Sequence, residues 1–500
     1  MTGTKKKPDQ STLPTPDPTK SFWHTEPSKS LLGHRTTASL PTEVDVVIIG
    51  SGITGASAAH FLHQDERARD LKIVMLEARE ACWGATGRNG GHCQPGIYDR
   101  SPELSSFEMR NYLALKDLVT KNNISCDWRD LSVVHAYMQK NIFDVALAEY
   151  NSHRKASPEI AKLVTVVTKD SANPSLADLR VSNAYGAIVQ KHASSVWPYK
   201  LVCWMLENLL SSNDASSPTF NLQTNTPASH LQHSENRSWI VHTPRGMIST
   251  PKVILATNAY TSFLLPSLSD LIVPVRGEMS ALIPPSSLKP DSRNGNKNGN
   301  VTTDPGLEYS YGFIGNGTQS GHQDDYLVQR PYTPTPIGFN SGKDDGGELM
   351  FGGGRSYAAN AGLGVSDDSG IDPPAAAYLR REISHVLDLQ NNREPLEAKY
   401  EWSGIMGFSR DDRPWVGELS EDVGLGKGTG KGVWLCAAYT GHGMPNAFLS
   451  AKAVVKMMLG KGEGVGDVDL PSVFRISKER VERARRMEEV HIADGKEVTA

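Results

Sequence analysis

Cysteine is scarce in this chain of 500 residues: there are 5, at positions 82, 93, 126, 203 and 436, and no two form a CxxC pair. That argues against a disulfide-built scaffold and against a zinc site, and leaves the thiols reduced. No apolar run reaches the roughly 18 residues that cross a bilayer. The densest, around Val44 to Ile49, stops at a glycine, so no membrane span is expected. Basic excess is also missing: 52 Lys and Arg stand against 56 Asp and Glu, a net charge of -4. Without a basic stripe or a nucleic-acid motif, a polynucleotide partner is not expected. The first residues, MTGTKKKPDQSTLPTPDPTK, lack the apolar stretch of a secretory leader and carry Pro and acidic residues foreign to a transit peptide. A cytoplasmic location is therefore the expectation.

The length allows two sizeable, interleaved domains. Residues 1–42 are polar and Pro-rich and predict a flexible arm, with Trp23, Leu31 and Leu32 available to pin it to the body. Residues 284–300 resemble a surface insertion, and 339–348 have the Asp/Gly chemistry of a hairpin turn. VDVVIIG, KIVMLEA, PKVILATN and GVWLCAAY are short apolar runs bounded by turn signals, as buried parallel strands should be. After the last, Ala447, Phe448, Ala451, Val454, Val455 and Met458 keep helical spacing up to Gly460.

The first run leads into SGITGASAAHFL, which places Gly50, Gly52 and Gly55 as G-x-G-x-x-G between strand and helix. Gly50 permits the tight turn, Gly52 lets backbone approach a diphosphate, and Gly55 allows close helix packing, with Ile53 and Thr54 at the positive helix end. Glu77 ends the next strand, where a carboxylate can hold ribose hydroxyls, with Ala78 beside it. The motif alone does not separate FAD from NAD.

The following segment, AREACWGATGRNGGHCQPG, resembles the glycine and D-amino acid oxidase (DAO) family of FAD-dependent oxidoreductases, above all the branch containing γ-glutamylputrescine oxidase. The resemblance covers about residues 40 to 460 through NTPASHLQ, PKVILATNAY, IVPVRGEM, YLVQRP, LMFGGGR, WSGIMGFSRDDRPWVGEL and YTGHGMPNAFLSAKAV. It implies FAD as cofactor, with Ala85, Thr86, Arg88, Asn89 and Gly90 along the diphosphate and ribityl chain. It also implies Ala228 at the adenine, where the family has Val, and Thr257 and Asn258 at the end of a second nucleotide-side strand. The fold class expected is α/β: a Rossmann-like FAD domain of the glutathione-reductase type from segments 43–130, 185–270 and 400–462, with a substrate domain of mixed or antiparallel sheet plus helices over 131–184 and 271–399. A polar tail or helix fills 463–500.

Gly441-His442-Gly443-Met444 ends a buried strand and opens a helix, with Pro445 suited to its first turn. Backbone donors and a helix dipole there would stabilise charge developing on the reduced flavin. No second G-x-G-x-x-G sits at a strand-to-helix junction, and the glycines of 352–354 and 424–432 are turns. Electrons are then expected from an organic substrate rather than NADPH. No Ser/His/Asp or paired-carboxylate constellation is visible, as suits amine oxidation, in which the cofactor performs the redox step. Asp324-Asp325 and Asp411-Asp412 are expected in solvent. Candidate substrate-side residues are His442, His92, Tyr326 and Arg330, with Arg276 and Trp402 behind them. Covalent flavin attachment at His92 or Cys93 has no supporting spacing. The expected reaction is oxidation of a small-molecule amine with O2 as acceptor. A dehydrogenase using another acceptor and a non-catalytic FAD-binding protein remain open, and nothing indicates the oligomeric state or a metal.

Overall fold

The computed structural model describes residues 10–212, 219–234, 238–288, 306–315, 325–332, 346–389, 394–425, 429–460, 468–488 and 490. The insertion expected at 284–300 and the turn at 339–348 lie mostly outside these, as does Asp324.

Four apolar runs become the centre of a six-stranded sheet: Val433–Ala437, Lys252–Leu255, Val46–Ile49 and Lys72–Leu76 lie side by side, all parallel. Thr219–Gln223 extends it in parallel on one edge, and Trp415–Glu418 closes the other in antiparallel. Parallel neighbours need crossovers, and the crossovers cover the faces, so nearly every residue of these strands is buried. Helix Ile53–Gln64 is the first crossover; Ala56 and Ala59 are fully buried on it. Helix Ala447–Met458 packs beside it, Phe448 meeting Phe61 with ring centroids 4.7 Å apart. A small antiparallel sheet of His230–His233, Trp239–Thr243 and Gly246–Thr250 is attached to this half.

The other half is a nine-stranded mixed sheet. Its order is Ala398–Ser409, Ile272–Leu282, Leu349–Gly353, Asp325–Gln329, Tyr309–Ile314, Arg129–Tyr137, Gly186–Ser195 and His92–Cys93, with Val164–Thr168 also pairing to Gly186–Ser195. Helix Pro373–Val386 packs on it. Gly186–Ser195 falls inside the range 185–270 and most of Ala398–Ser409 inside 400–462, and both hydrogen-bond into this sheet. Their burial is interrupted or alternating, as in strands with one wetter face, rather than continuous as in the nucleotide-side strands.

Polar composition suggested a loose arm, yet residues 10–42 are held on the body. Phe22 and Trp23 are buried and their rings pack with Trp197 and Tyr400. Leu31 is buried as well, whereas Leu32 is 43% exposed. Two adjacent aromatic side chains supply the apolar area that the rest of the segment lacks.

Of the aspartates expected in solvent, Asp412 is exposed, whereas Asp325 and Asp411 are structural. Asp325 is fully buried and accepts from the Gly354 amide and the Tyr378 hydroxyl. Asp411 accepts two bonds from Arg480, at 2.8 and 2.9 Å, and another from Ser409 Oγ. Arg480 belongs to the C-terminal helix Lys478–Arg486, is 2% exposed, donates to the carbonyls of Arg413, Pro414 and Phe474, and stacks 3.9 Å over Trp415. Removing this side chain strands a buried carboxylate. Arg480→Ala is predicted to lower stability by about 3–5 kcal/mol, read by denaturant unfolding; a loss below ~1 kcal/mol, the range of exposed ion pairs, would show that the helix is not anchored this way.

Candidate functional site

One cavity of about 500 Å3 runs along the junction between the two large sheets. At one end lies the turn after Val46–Ile49. Gly50 has φ +105°, and a Cβ there would sit 2.6 Å from the Ala256 carbonyl oxygen; a Cβ on Gly55 would sit 1.9 Å from the oxygen of Gly50. Backbone therefore meets backbone on both sides of the turn, and only glycine permits it. Gly50, Gly52, Ile53 and Thr54 line the cavity, while Gly55 lies behind them and serves packing. Thr86 Oγ1 accepts from the Ile53 amide at 3.0 Å, tying the glycine-rich loop to the opening of the helix.

Glu77 is buried, and its carboxylate accepts from the Ser51 amide, the Ser51 hydroxyl and the Arg79 amide. These donors fix the carboxylate at the cavity wall beside Ala78 and Ala228. Thr257 and Asn258 line the same space. The Asn258 amide oxygen also accepts from the Ala438 amide, stitching two parallel strand ends together.

Ala85, Thr86, Arg88, Asn89 and Gly90 all reach the cavity. The Arg88 guanidinium is committed elsewhere: it pairs with Asp368 at 3.2 Å and donates to Ser403 O and Thr19 O. Its share of the cavity therefore comes without a free cation. The Gly90 amide donates to Tyr326 Oη at 3.0 Å, and a Cβ on Gly90 would strike that ring at 2.3 Å.

At the far end the chain leaves Val433–Ala437 through left-handed residues Ala438, Thr440 and Gly441. Gly441, His442, Gly443 and Met444 line the cavity. Tyr439 Oη joins Thr54 Oγ1 at 2.9 Å, so the two ends of the nucleotide half are hydrogen-bonded to each other. The helix begins at Ala447 with Asn446 as its N-cap, which leaves Pro445 just ahead of the first turn rather than in it. The Asn446 side chain donates to His442 O and to the buried Glu108.

His442 lines the cavity and is itself exposed there; desolvation by the surrounding protein, then Arg100 and Arg413, lower its pKa, against Asp99, which raises it. His92 lies 2.9 Å from Ser310 Oγ and stacks near Tyr326; burial, then His135, lowers it to about 3. Both shifts favour the neutral imidazole. Cys93 does not line the cavity, and burial pushes its thiol well up.

Arg330 is not among the lining residues. It pairs with Glu348 at 2.8 Å and Asp127 at 3.1 Å and is sandwiched between Phe22 and Trp197, so its charge is spent on holding the arm. Arg276 faces Glu278 and Asp372, and Trp402 is core, its indole donating to Arg88 O. Sequence reasoning missed a polar wall: Gln94 Nε2 meets His135 Nε2 at 2.7 Å, His135 Nδ1 meets Tyr98, and Tyr98 Oη meets Tyr137 Oη at 2.7 Å. These four and Asp99 line the cavity. The only available signal was that His135 and Tyr137, two apart on one strand, share a face. Glu278 also lines it, and burial raises its pKa to about 8.

Residues 45–457 match the family model described as FAD dependent oxidoreductase (DAO). The chain belongs to that family. It is 22% identical over 450 residues to the probable oxidoreductase OrdL of Haemophilus influenzae, covering 86% of this chain and 87% of that protein. It is 24% identical over 231 residues to the gamma-glutamylputrescine oxidoreductase of Escherichia coli, covering 43% and 49%. Glycine oxidase from Geobacillus kaustophilus has a similar fold, with a TM-score of 0.61 at 16% identity over 88% of this chain and 99% of that one. The cofactor is FAD, and the lining fits it: Gly52 and Gly441 present bare backbone to the cavity, and the buried Glu77 carboxylate stands at its wall. Gly50→Ala is predicted to weaken FAD binding at least about tenfold, measured by flavin content after purification; a fully yellow variant would contradict the role given to this turn.

Proposed function

We propose that this protein oxidises the C–N bond of a small amine or amino acid. Bound FAD supplies the hydride acceptor at its N5. The substrate's α-carbon gives up a hydride and its nitrogen becomes an imine, which water converts to a carbonyl and a free amine. O2 takes the two electrons with two protons and leaves as H2O2. The half that holds FAD is formed by 43–130, 185–270 and 400–462, less the strands that join the nine-stranded sheet. The other half holds the substrate. A cytoplasmic setting suits five cysteines that are all free and buried.

The observation that carries this reading is the single cavity that joins the turn at Gly50 to His442 in a chain of the DAO family, and the electrostatics around His442 fit it. The surrounding protein and the guanidinium groups of Arg100 and Arg413 disfavour a proton on that imidazole, against Asp99, and the same balance of charge disfavours an ammonium ion beside it. A substrate amine is thereby held as its free base, the form whose lone pair drives hydride departure. Gly441–Met444 presents backbone at the head of a helix, where developing negative charge is stabilised. His92 and Tyr326 close one side of the space and exclude water.

Mixing the protein anaerobically with a panel of primary, secondary and N-methylated amines and amino acids is expected to bleach the flavin with at least one of them, and air is expected to restore the colour with release of peroxide. A flavin that no amine bleaches would overturn the reading, while one that stays bleached in air would assign the electrons to another acceptor. The rate of bleaching at low substrate is predicted to rise with pH as the amine loses its proton. It should show no histidine step between about pH 5 and 8, because His92 and His442 gain a proton only near pH 3. An enzymic inflection near ~6.5, the ordinary histidine value, would contradict the neutral-imidazole site.

A further inference from the structure

We infer that the segment before the family domain is part of the cofactor site: Leu13 and Pro14 form a strap across the adenosine end of the cavity and hold FAD in place. The matched family region starts at residue 45, so the strap lies outside it. Leu13 and Pro14 nevertheless line the same cavity as Glu77, Ala78 and Ala228.

The strap is tied down on both sides of those two residues. Before them, the Ser11 amide donates to Ser262 Oγ at 3.0 Å and the Thr12 amide to Ser366 Oγ at 3.2 Å. After them, the Thr19 amide donates to Asp368 O at 2.8 Å, and Asp368 is the partner of Arg79 and Arg88. Between the anchors, Leu13 and Pro14 are only half-buried, and they lie beside the apolar Ala78 in a second hollow that opens next to the first. An apolar, planar group is the natural occupant of such a wall, and the adenine of FAD has that character.

Farther along, the same segment props up the glycine-rich loop from behind. Ser21 Oγ donates to Gly87 O at 2.8 Å, and the Trp23 indole N–H donates to Asn89 O. A Cβ on Gly87 would lie 2.5 Å from the His24 ring, and one on Gly91 would lie 2.7 Å from Trp23, so nothing separates arm from loop. A loop made of glycines has little packing of its own, and here the arm supplies it.

The test compares the full chain with two variants: a truncation that begins at Pro16, which keeps Thr19 to Trp23, and the full-length double substitution Leu13→Gly with Pro14→Gly, which serves if the truncation does not fold. FAD release after dilution is followed by the gain in free-flavin fluorescence, and FMN affinity is measured alongside because FMN lacks the adenosine half. Release of FAD is expected to accelerate about tenfold or more, with FMN affinity unchanged. Unchanged FAD release, or equal weakening of FAD and FMN, would overturn the strap while leaving the flavin site standing. A full chain that takes up neither flavin would overturn the FAD assignment and the strap together.

Discussion

The turn at Gly50 has to pass so near the carbonyl of Ala256 that no side chain fits between them, and the rest of the site follows from this contact. It fixes the separation of the two central strands, and with it the place where the first helix can begin. That helix end then faces the hydroxyl of Thr86, which sets the glycine-rich loop, and Thr54 on its first turn meets Tyr439 at the opposite strand end. Two glycine-bearing turns distant in sequence are thereby placed along one cavity. A parallel sheet makes this natural, since all its strands end on the same side.

Polar groups in the cavity are held by neighbours rather than left to solvent. Glu77 is gripped by two backbone amides and a hydroxyl, His135 is engaged at both ring nitrogens, and the surroundings of His92 and His442 favour the neutral imidazole. Under the proposed function such a site would orient and desolvate the substrate rather than transfer protons. That division of labour suits a cofactor that performs the redox step itself.

The nucleotide half was legible in the sequence because its constraints are local. A buried strand, three glycines at fixed offsets and an acid at the end of the next strand lie within one short stretch, and each has a physical task. The turn at His442 was legible for the same reason. The polar wall was not: Tyr98, His135 and Tyr137 come from a loop and a strand brought together only by the fold, and nothing in their neighbourhood marks them. Arg330 misled because a basic residue on a strand looks available until its cross-strand partner Glu348 is seen. The arm was legible in part: Trp23 and Leu31 were visible as anchors, but average polarity suggested that the segment around them would stay loose. That strands 186–195 and 398–409 pair into the nine-stranded sheet could not be read locally, because sheet membership depends on partners far along the chain.

The central claim is that a single FAD lies extended from the turn at Gly50 to the turn at His442. A crystal structure of the FAD complex tests it most directly. The account predicts the diphosphate against the backbone of Gly52 and Ile53, a ribose on Glu77, and the redox ring beside residues 441–444. A flavin bound in the reverse direction, or with its ring away from His442, would contradict it.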